Sequence, residues 1–281
     1  SNLNYMWNLD KGKNRIALLD ESESKVSYSD LGKFTVSLSK HITKRSLVLC
    51  LCSNSLGSIV GYVSFLNAKI IPLMLEKDVD ELLLSNLIEV YEPDYFWIPK
   101  ELSSKFIDTK AIYSDHQYVL LKSSYNTSKK FHQDLAMLLS TSGSTGSKKL
   151  VRLSYENIAS NSEAIVDYLE INQNDRAITT LPMSYSYGLS IINSYLEAFA
   201  SIVITEKGLV QKEFWDLIKD KNVTSFGGVP FTYEMLHRLK FFQMGLPSLK
   251  VLTQAGGKLR KDLVEKFAEF SKNQNVELLE V

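Results

Sequence analysis

The chain has 281 residues, of which 44% are hydrophobic, and its 32 Lys and Arg residues are balanced by 32 Asp and Glu residues. This length and apolar content allow one large domain or two smaller ones, each with a buried core. A formal charge of zero gives no strongly basic surface, so nucleic acid is not an expected partner. The longest apolar stretch, residues 59–75, contains a glycine, an asparagine, a lysine and a proline. It is therefore not predicted to span a membrane.

The start of the chain and its cysteines bear on the cellular compartment. Residues 1–5 have neither a basic segment nor an apolar core, so no signal peptide is predicted. Cys50 and Cys52 are two positions apart in an apparent strand and should point to the same face. We interpret them as buried thiols in a reducing compartment rather than as a metal or redox site, and expect a cytoplasmic protein. The four histidines share no ligand spacing, so no metal site is predicted.

Short apolar runs mark strands in the first half of the chain. They lie at residues 47–51, 70–73, 95–98 and 135–139. Continuous apolar runs of this length are typical of strands that are buried on both faces. The polar segment 123–130 is the most linker-like part of the sequence.

A hydroxyl- and glycine-rich segment follows the run at 135–139. Residues 141–149 read Thr-Ser-Gly-Ser-Thr-Gly-Ser-Lys-Lys. Glycine lets the backbone approach a ligand closely, and successive N–H groups in such a turn form a concave nest for anionic oxygens. The segment therefore predicts a loop that binds polyphosphate, although the same composition is also common in plain surface turns.

The spacing within this loop excludes two better-known patterns. Gly143 and Gly146 are three apart, and a strand-like segment at 150–153 precedes the next helix. The Walker loop instead has Gly-x-x-x-x-Gly-Lys and opens directly into a helix. The pattern is equally unlike the Gly-x-Ser-x-Gly turn of serine hydrolases. If the loop binds phosphate, it does so between two strands.

More strands and helices are predicted downstream of the loop. The strand-like runs lie at 177–181, 201–204, 223–226 and 251–253. Apolar residues at helical spacing mark helices around Ile165, Leu217 and Phe267, and Ser154 is a natural N-cap for the first of them. The alternation of strand and helix predicts an α/β fold with largely parallel sheets covered by helices.

Several segments together resemble the AMP-forming acyl- and aryl-CoA synthetases, luciferases and nonribosomal peptide adenylation domains. The loop at 141–149 resembles the phosphate loop of that family. Other segments flank it in the family's order, at residues 26–31, 54–73, 181–189, 228–236 and 252–259. They resemble the patterns TYxEL, NS…GAVxVPL, LPLFHxxGL, GVPxxYxxL and GGxxL, respectively. One such motif is weak evidence, but six in order, from about residue 15 to the end, are strong evidence.

The resemblance implies a fold and a reaction. The fold would be α/β, with two packed, mostly parallel sheets flanked by helices, as in the N-terminal domain of an adenylate-forming ligase. Its subdomains are expected at about residues 43–175 and at 1–42 plus 176–281. In the implied reaction a carboxylate attacks the α-phosphorus of ATP, pyrophosphate leaves and an acyl-adenylate forms. Because an anion attacks an anion, catalysis would consist mainly of positioning and charge neutralisation.

The resemblance also implies which residues hold the substrates. The β- and γ-phosphates of ATP would be bound by Thr141, Ser142, Gly143, Ser144, Thr145, Gly146 and Lys149. The adenine and the acyl group would be bound by Tyr185, Tyr187, Gly188, Val229, Pro230, Gly256 and Gly257. The alternative interpretations are a solvated loop lysine, core tyrosines and a simple strand-to-helix turn at the glycines.

One position departs from the family pattern in a way that bears on the substrate. Tyr185, beside Ser184, stands where the family usually has histidine. A tyrosine can donate one hydrogen bond but carries no positive charge near neutral pH. Neither residue is acidic, whereas adenylation domains that activate α-amino acids use an aspartate in this region. A plain carboxylic acid is therefore favoured over an amino acid.

Further parts of the family pattern are expected beyond Val281. They include a Mg²⁺-binding glutamate and a C-terminal domain with the catalytic lysine, so we interpret the chain as an N-terminal portion that is inactive alone. The expected cofactors are ATP, Mg²⁺ and CoA. The expected partners are a small carboxylic acid and a thiol acceptor, either CoA or a carrier protein. Two alternatives stay open: an adenylating enzyme that loads an acyl-carrier protein, and a non-catalytic nucleotide-binding homologue.

Overall fold

The computed structural model describes residues 5–126, 129–141 and 149–281. The strands are β1 (Ile16–Asp20), β2 (Lys25–Ser27), β3 (Leu47–Cys52), β4 (Ile71–Glu76), β5 (Tyr95–Pro99), β6 (Lys110–Asp115), β7 (Tyr118–Lys122), β8 (Leu135–Ser140), β9 (Leu150–Ser154), β10 (Arg176–Ile178), β11 (Ser201–Ile204), β12 (Ser225–Gly228), β13 (Val251–Gln254) and β14 (Glu277–Glu280). The helices are α1 (Leu9–Gly12), α2 (Tyr28–Ser39), α3 (Leu56–Asn67), α4 (Glu81–Tyr91), α5 (Tyr155–Leu169), α6 (Ser186–Glu197), α7 (Lys212–Asp220), α8 (Pro230–Arg238) and α9 (Lys261–Gln274). Short 3₁₀ turns occur at Lys100–Lys105 and Phe241–Gln243.

The chain divides into two compact units. The first comprises Ser1–Arg15, Val26–Ser160 and Pro182–Ser186, and the second comprises Ile16–Lys25, Asn161–Leu181 and Tyr187–Val281. These bounds differ from the expected subdomains at about 43–175 and at 1–42 plus 176–281. The N-terminal part of the chain is shared between the units, because α2 packs against α3 in the first unit whereas β1 pairs with β11 in the second.

The first unit is built on a mixed sheet with the strand order β6-β7-β5-β3-β4-β8-β9. The central strands β5, β3, β4 and β8 are parallel, and the outer strands β6, β7 and β9 pair in antiparallel fashion. Leu49, Leu73 and Phe96 lie on one face of this sheet, which α4 covers with Leu87. The central strands are buried on both faces, which explains their uninterrupted apolar sequences.

The opposite face of this sheet is covered by α3, which is buried from Leu56 to Leu66. A helix that is apolar on all sides is expected to be buried in this way. Gly61 lets Trp97 of β5 lie against the helix backbone, and Gly57, one turn earlier, makes room for Tyr118 of β7. The Trp97 indole N–H donates to the Gly57 carbonyl at 3.0 Å.

Arg45, just before β3, is hydrogen-bonded to residues at or near the starts of β4, β8 and α5. Its guanidinium donates to the carbonyls of Lys69 at 2.7 Å, His132 at 2.7 Å and Leu135 at 2.5 Å, and to the Tyr155 hydroxyl at 3.1 Å. The Lys69 ammonium lies 3.7 Å from the centre of the Tyr155 ring. Burial, followed by repulsion from Arg45, lowers the pKa of Lys69. The cluster fixes the positions at which β8 and α5 begin.

The second unit is built on a sheet with the strand order β14-β13-β12-β10-β11-β1-β2. The strands from β14 to β1 pair in parallel. Helices α7, α8 and α9 supply Phe214, Tyr233 and Phe267 to an apolar core that also includes Phe226 of β12. The rings of Tyr233 and Phe267 meet edge to face, with centroids 5.2 Å apart, the geometry that aromatic pairs prefer.

The predicted α/β fold of two mostly parallel, helix-flanked sheets is confirmed, with antiparallel strands at the edges of the first sheet. Every apolar run predicted as a strand overlaps a strand of the structure. The predicted helices around Ile165, Leu217 and Phe267 are α5, α7 and α9. Ser154 caps α5, because its hydroxyl accepts from the Asn157 N–H at 3.0 Å. The sequence pattern predicts no strand at β1, β2, β6 or β7. Strand β6 is half-exposed, whereas β1 and β7 are mostly buried.

The two cysteines are buried free thiols on β3, as predicted. Burial raises the pKa values of both Cys50 and Cys52. Over the described ranges, the helices are all too short or too polar to cross a bilayer.

Candidate functional site

The hydroxyl- and glycine-rich loop connects β8 to β9, and its base is well defined. The two strands are antiparallel, with Ser140 opposite Leu150. The backbone N–H and the hydroxyl of Thr141 both donate to the Lys149 carbonyl at 2.9 Å. Strands β8 and β9 therefore form an antiparallel pair that is closed at Thr141 and Lys149. The predicted phosphate ligands Ser142, Gly143, Ser144, Thr145 and Gly146 lie outside the described residues.

The base of this hairpin lies at the carboxyl edge of the parallel strands in the first unit. Because β3, β4 and β8 are parallel neighbours, the residues at their carboxyl ends share one edge. These residues are Asn54, Glu76 and Thr141. In open α/β sheets this edge is where ligands bind. The side chains of Thr141 and Lys149 are exposed there. The Lys149 ammonium is available to an anionic ligand, whereas the Thr141 hydroxyl donates its proton to the Lys149 carbonyl.

The segment Pro182–Ser186 carries Tyr185 and is held at the same edge of the first unit. The Met183 N–H donates to the Asn54 side-chain oxygen at 3.1 Å, and the Ser58 hydroxyl donates to the Met183 sulfur at 2.9 Å. The Ser184 hydroxyl donates to the Glu76 carboxylate. The Tyr185 N–H donates to the Pro182 carbonyl at 3.1 Å, and the Tyr185 side chain is half-buried. The structure therefore places Tyr185 at the edge that carries Thr141.

Glu76 is a site residue that the sequence pattern does not single out. It ends β4, and its carboxylate contacts Ser184, the neighbour of Tyr185. An acidic residue at the end of a buried, parallel strand is the signal that could have indicated it. The absence of an acid at positions 184 and 185 therefore does not mean that this edge lacks a carboxylate.

In the second unit, four predicted residues lie at the carboxyl edge of β12 and β13, which are parallel neighbours. Val229 and Pro230 follow β12, and Gly256 and Gly257 follow β13. Helix α8 begins directly at Pro230, whose fixed φ and missing N–H suit the first helical position. Pro230 and Gly257 are close, since an ideal Cβ on Gly257 would lie 3.2 Å from the Pro230 Cγ.

The glycine turn after β13 exposes backbone rather than side chains. Gly256 and Gly257 have φ angles of 83° and 148°, which residues with a Cβ rarely adopt. The Gln254 side-chain amide donates to the Gly257 carbonyl at 2.6 Å and holds the turn. A flat group could therefore lie against this backbone, and the binding of adenine or an acyl group at Gly256 and Gly257 stays a prediction.

Tyr187 lies in the first turn of α6 and reaches Thr253 on β13. Its hydroxyl oxygen is 2.5 Å from the Thr253 Oγ1, and the Tyr233 hydroxyl donates to the Thr253 carbonyl. Burial raises the pKa of Tyr233 well above its ordinary value, so this hydroxyl stays protonated and can donate. Gly188 is buried in the same turn. Tyr187 and Gly188 belong to the second unit and Tyr185 to the first.

The described side chains offer donors for an anion rather than ligands for a metal ion. No cluster of three or more His, Cys, Asp or Glu side chains that could hold a metal ion occurs within the described residues. The exposed Lys149 ammonium fits a polyphosphate. The turn at Gly256 and Gly257 fits a flat group that approaches the backbone.

Comparison with known proteins identifies the class of protein that this fold and site define. The family model described as AMP-binding enzyme matches residues 6–280. The chain therefore belongs to the AMP-binding enzyme family, and the resemblance stated from its motifs is confirmed.

Individual relatives match only in part. Acyl-CoA synthetase ALT10 of Alternaria alternata is 27% identical over 165 residues, which are 56% of this chain and 28% of that protein. Crystal structures of apo and ATP-bound MatB from Rhodopseudomonas palustris match with TM-scores of 0.75 and 0.71 at 22% and 20% identity. These two matches cover 95% and 98% of this chain, and 56% and 59% of the MatB chains. At such identities the structural likeness shows the fold.

Proposed function

We propose that this chain is the nucleotide- and acyl-binding part of an ATP-dependent, AMP-forming acid–thiol ligase that transfers its acyl group to CoA. The observation that carries the proposal is the hairpin base closed by Thr141 and Lys149 at the carboxyl edge of a parallel sheet. Membership of the AMP-binding enzyme family supports it. The acyl-CoA synthetase relative and the ATP-bound structural neighbour point in the same direction.

The proposed reaction has two steps. The carboxylate of the acid attacks the α-phosphorus of ATP, a new O–P bond forms, and the bond to pyrophosphate breaks. A thiol then attacks the acyl carbon and releases AMP. The first step brings two anions together, so fixed donors and cations around the phosphates lower its barrier. Mg²⁺ would supply further charge neutralisation.

The candidate site residues have proposed roles that follow from their positions near the carboxyl ends of the strands. Lys149 and Thr141, with the loop between them, bind the β- and γ-phosphates. The turn at Gly256 and Gly257 receives the adenine or the acyl group. Tyr185 donates a hydrogen bond to a substrate oxygen. The acyl group is bordered by Tyr187, Gly188, Val229 and Pro230.

Binding of Mg²⁺-ATP to Lys149→Ala tests the loop assignment. A hydrogen bond to a charged group is worth about 1.5–3 kcal/mol, so the Kd should rise roughly tenfold to a hundredfold. Lys110→Ala is a matched control, because Lys110 is an exposed lysine on β6, at the other edge of the same sheet. Isothermal titration calorimetry measures both. Equal affinities for Lys149→Ala and Lys110→Ala would refute the assignment.

We expect the 281-residue chain alone to show negligible carboxylate-dependent exchange of pyrophosphate into ATP. This expectation follows from the family resemblance, which implies a Mg²⁺-binding glutamate and a catalytic lysine beyond Val281. Robust exchange by the chain would contradict this expectation. A comparison of CoA with carrier proteins as acyl acceptors would distinguish a CoA ligase from an adenylating enzyme that loads a carrier protein.

A second candidate is a non-catalytic nucleotide-binding homologue. Tyr185 favours it, because a neutral tyrosine replaces the usual histidine. Such a protein would bind ATP but would show no exchange with any acid, even when joined to a C-terminal domain that carries the catalytic lysine. Exchange with one acid would exclude this candidate.

A further inference from the structure

One face of α6 packs onto β12 and β13 and fills the space behind the proposed acyl site. Tyr187, Ile191 and Tyr195 are four residues apart and therefore lie on this face. The Tyr187 hydroxyl meets Thr253 on β13, and the Tyr195 hydroxyl is hydrogen-bonded to Ser225 on β12. Polar contacts thus hold the helix face against both strands.

The closest approach is at Gly227, in the middle of this face. An ideal Cβ on Gly227 would lie 2.6 Å from the Tyr187 hydroxyl oxygen, 2.7 Å from the Ile191 Cδ1 and 2.9 Å from the Thr253 Oγ1. These separations are shorter than about 3.5 Å, where carbon contacts become favourable. The three side chains therefore already occupy the space that an entering group would need.

A cavity of about 10 Å³ lies beside Tyr187. That volume is enough for about one water molecule, whereas pockets that enclose drug-sized ligands have several hundred Å³. The cavity is also lined by Ile165, Leu169 and Ser194. Tyr187 is 8% exposed and its hydroxyl meets Thr253, so a long tail that enters this cavity must displace the tyrosine ring.

We propose that Tyr187 limits the length of the acid, so that the substrate is a short carboxylic acid without a long alkyl or aryl tail. The ring of Tyr187, anchored on Thr253 above Gly227, is the barrier that excludes longer acids. This inference rests on the proposed function, because it takes Tyr187 and Gly188 to border the acyl group.

Acyl-sulfamoyl adenosines, which are stable mimics of acyl-adenylates, test this inference on the 281-residue chain. Calorimetric titration with the acetyl, butanoyl and octanoyl compounds should show wild type binding octanoyl at least about tenfold more weakly than butanoyl. Tyr187→Ala should reverse this order, because each methylene that becomes buried tightens binding about fourfold. Tyr187→Phe should give an intermediate ratio, because the ring keeps its volume but loses its anchor.

Tyr168→Ala is the matched control, since Tyr168 of α5 is 56% exposed, and it should keep the wild-type ratio. Ile191→Ala opens the same space from the next turn of α6. If Tyr187→Ala does not fold, the ratio of octanoyl to butanoyl affinity in Ile191→Ala tests the inference instead. Wild type that binds octanoyl as tightly as butanoyl would overturn the inference and leave the ligase proposal intact. A folded chain that binds neither ATP nor any of the three compounds would overturn both.

Discussion

The packing of α3 on Trp97 gives a prediction whose size can be worked from the structure. An ideal Cβ on Gly61 would lie 2.2 Å from the Trp97 Nε1 and 2.7 Å from its Cδ1 and Cε2. Favourable contacts begin at about 3.5 Å, so in Gly61→Ala the indole must shift by about an ångström. Trp97 is 1% exposed, which leaves it little room to do so.

The expected net effect of Gly61→Ala is destabilisation by about 2 kcal/mol. Overpacking a well-packed core costs about 1–3 kcal/mol. Displacing the indole also weakens its hydrogen bond to the Gly57 carbonyl, which is worth about 1 kcal/mol. Replacing glycine by alanine within a helix raises the free energy of unfolding by about 1 kcal/mol. The packing penalty is therefore larger than the gain in helix propensity.

Gly32→Ala is a matched control in the same unit. Gly32 lies within α2, and nothing is closer than 4.0 Å to the position of an added Cβ. Only the propensity gain applies there, so this variant should be stabilised by about 0.5–1 kcal/mol. Urea unfolding followed by far-UV circular dichroism gives both values. A midpoint for Gly61→Ala at or above wild type, or an equal loss in Gly32→Ala, would refute the reasoning.

Three other perturbations test the Arg45 cluster, a tyrosine and the glycine turn. Arg45→Lys should lower the free energy of unfolding by about 2–3 kcal/mol, because a single ammonium cannot reach the acceptors that the planar guanidinium serves; an unchanged urea midpoint would contradict this. Burial, then the charge of Asp115 and a hydrogen bond to it, raises the pKa of Tyr113 to about 12. The neutral Tyr113 therefore stabilises the fold fully below about pH 10, and this contribution is lost as the pH rises to about 12. Urea midpoints in that range should fall less steeply in Tyr113→Phe, and parallel slopes would count against the assignment. Gly257→Ala should cost about 1–3 kcal/mol through backbone strain, whereas Gly245→Ala, with open space around it, should cost little; similar losses in the two would show that strain is not the cause.

Local sequence patterns marked most of the buried strands, although the buried strands β1 and β7 were not predicted. The apolar runs at 47–51 and 135–139 are β3 and β8, because a strand covered on both faces must be apolar at every position. Ser154 predicts the start of α5, since its hydroxyl satisfies an N–H three residues later. These signals depend only on the residue and its near neighbours along the chain.

Strand partners were not predictable in the same way. Strand β6 is half-exposed at the edge of its sheet, so it lacks the apolar run that marks the inner strands. Strand β1 pairs with β11, which lies far along the chain, whereas α2 packs on α3. Pairing between distant segments is selected by the contacts of the whole unit, and no local pattern records it.

Residue patterns along the chain indicated the family, the inner parallel strands and the position of the hydroxyl-rich loop between two strands. The folded arrangement was needed to show that Ser184 donates to Glu76, that the Tyr187 hydroxyl meets Thr253, and that a cavity of about 10 Å³ lies beside that ring. The physical reason is that hydrophobic pattern reports whether a side chain is buried. Which side chains meet, and how much space they leave, depends on strand order and helix placement, which all the contacts of a unit set together.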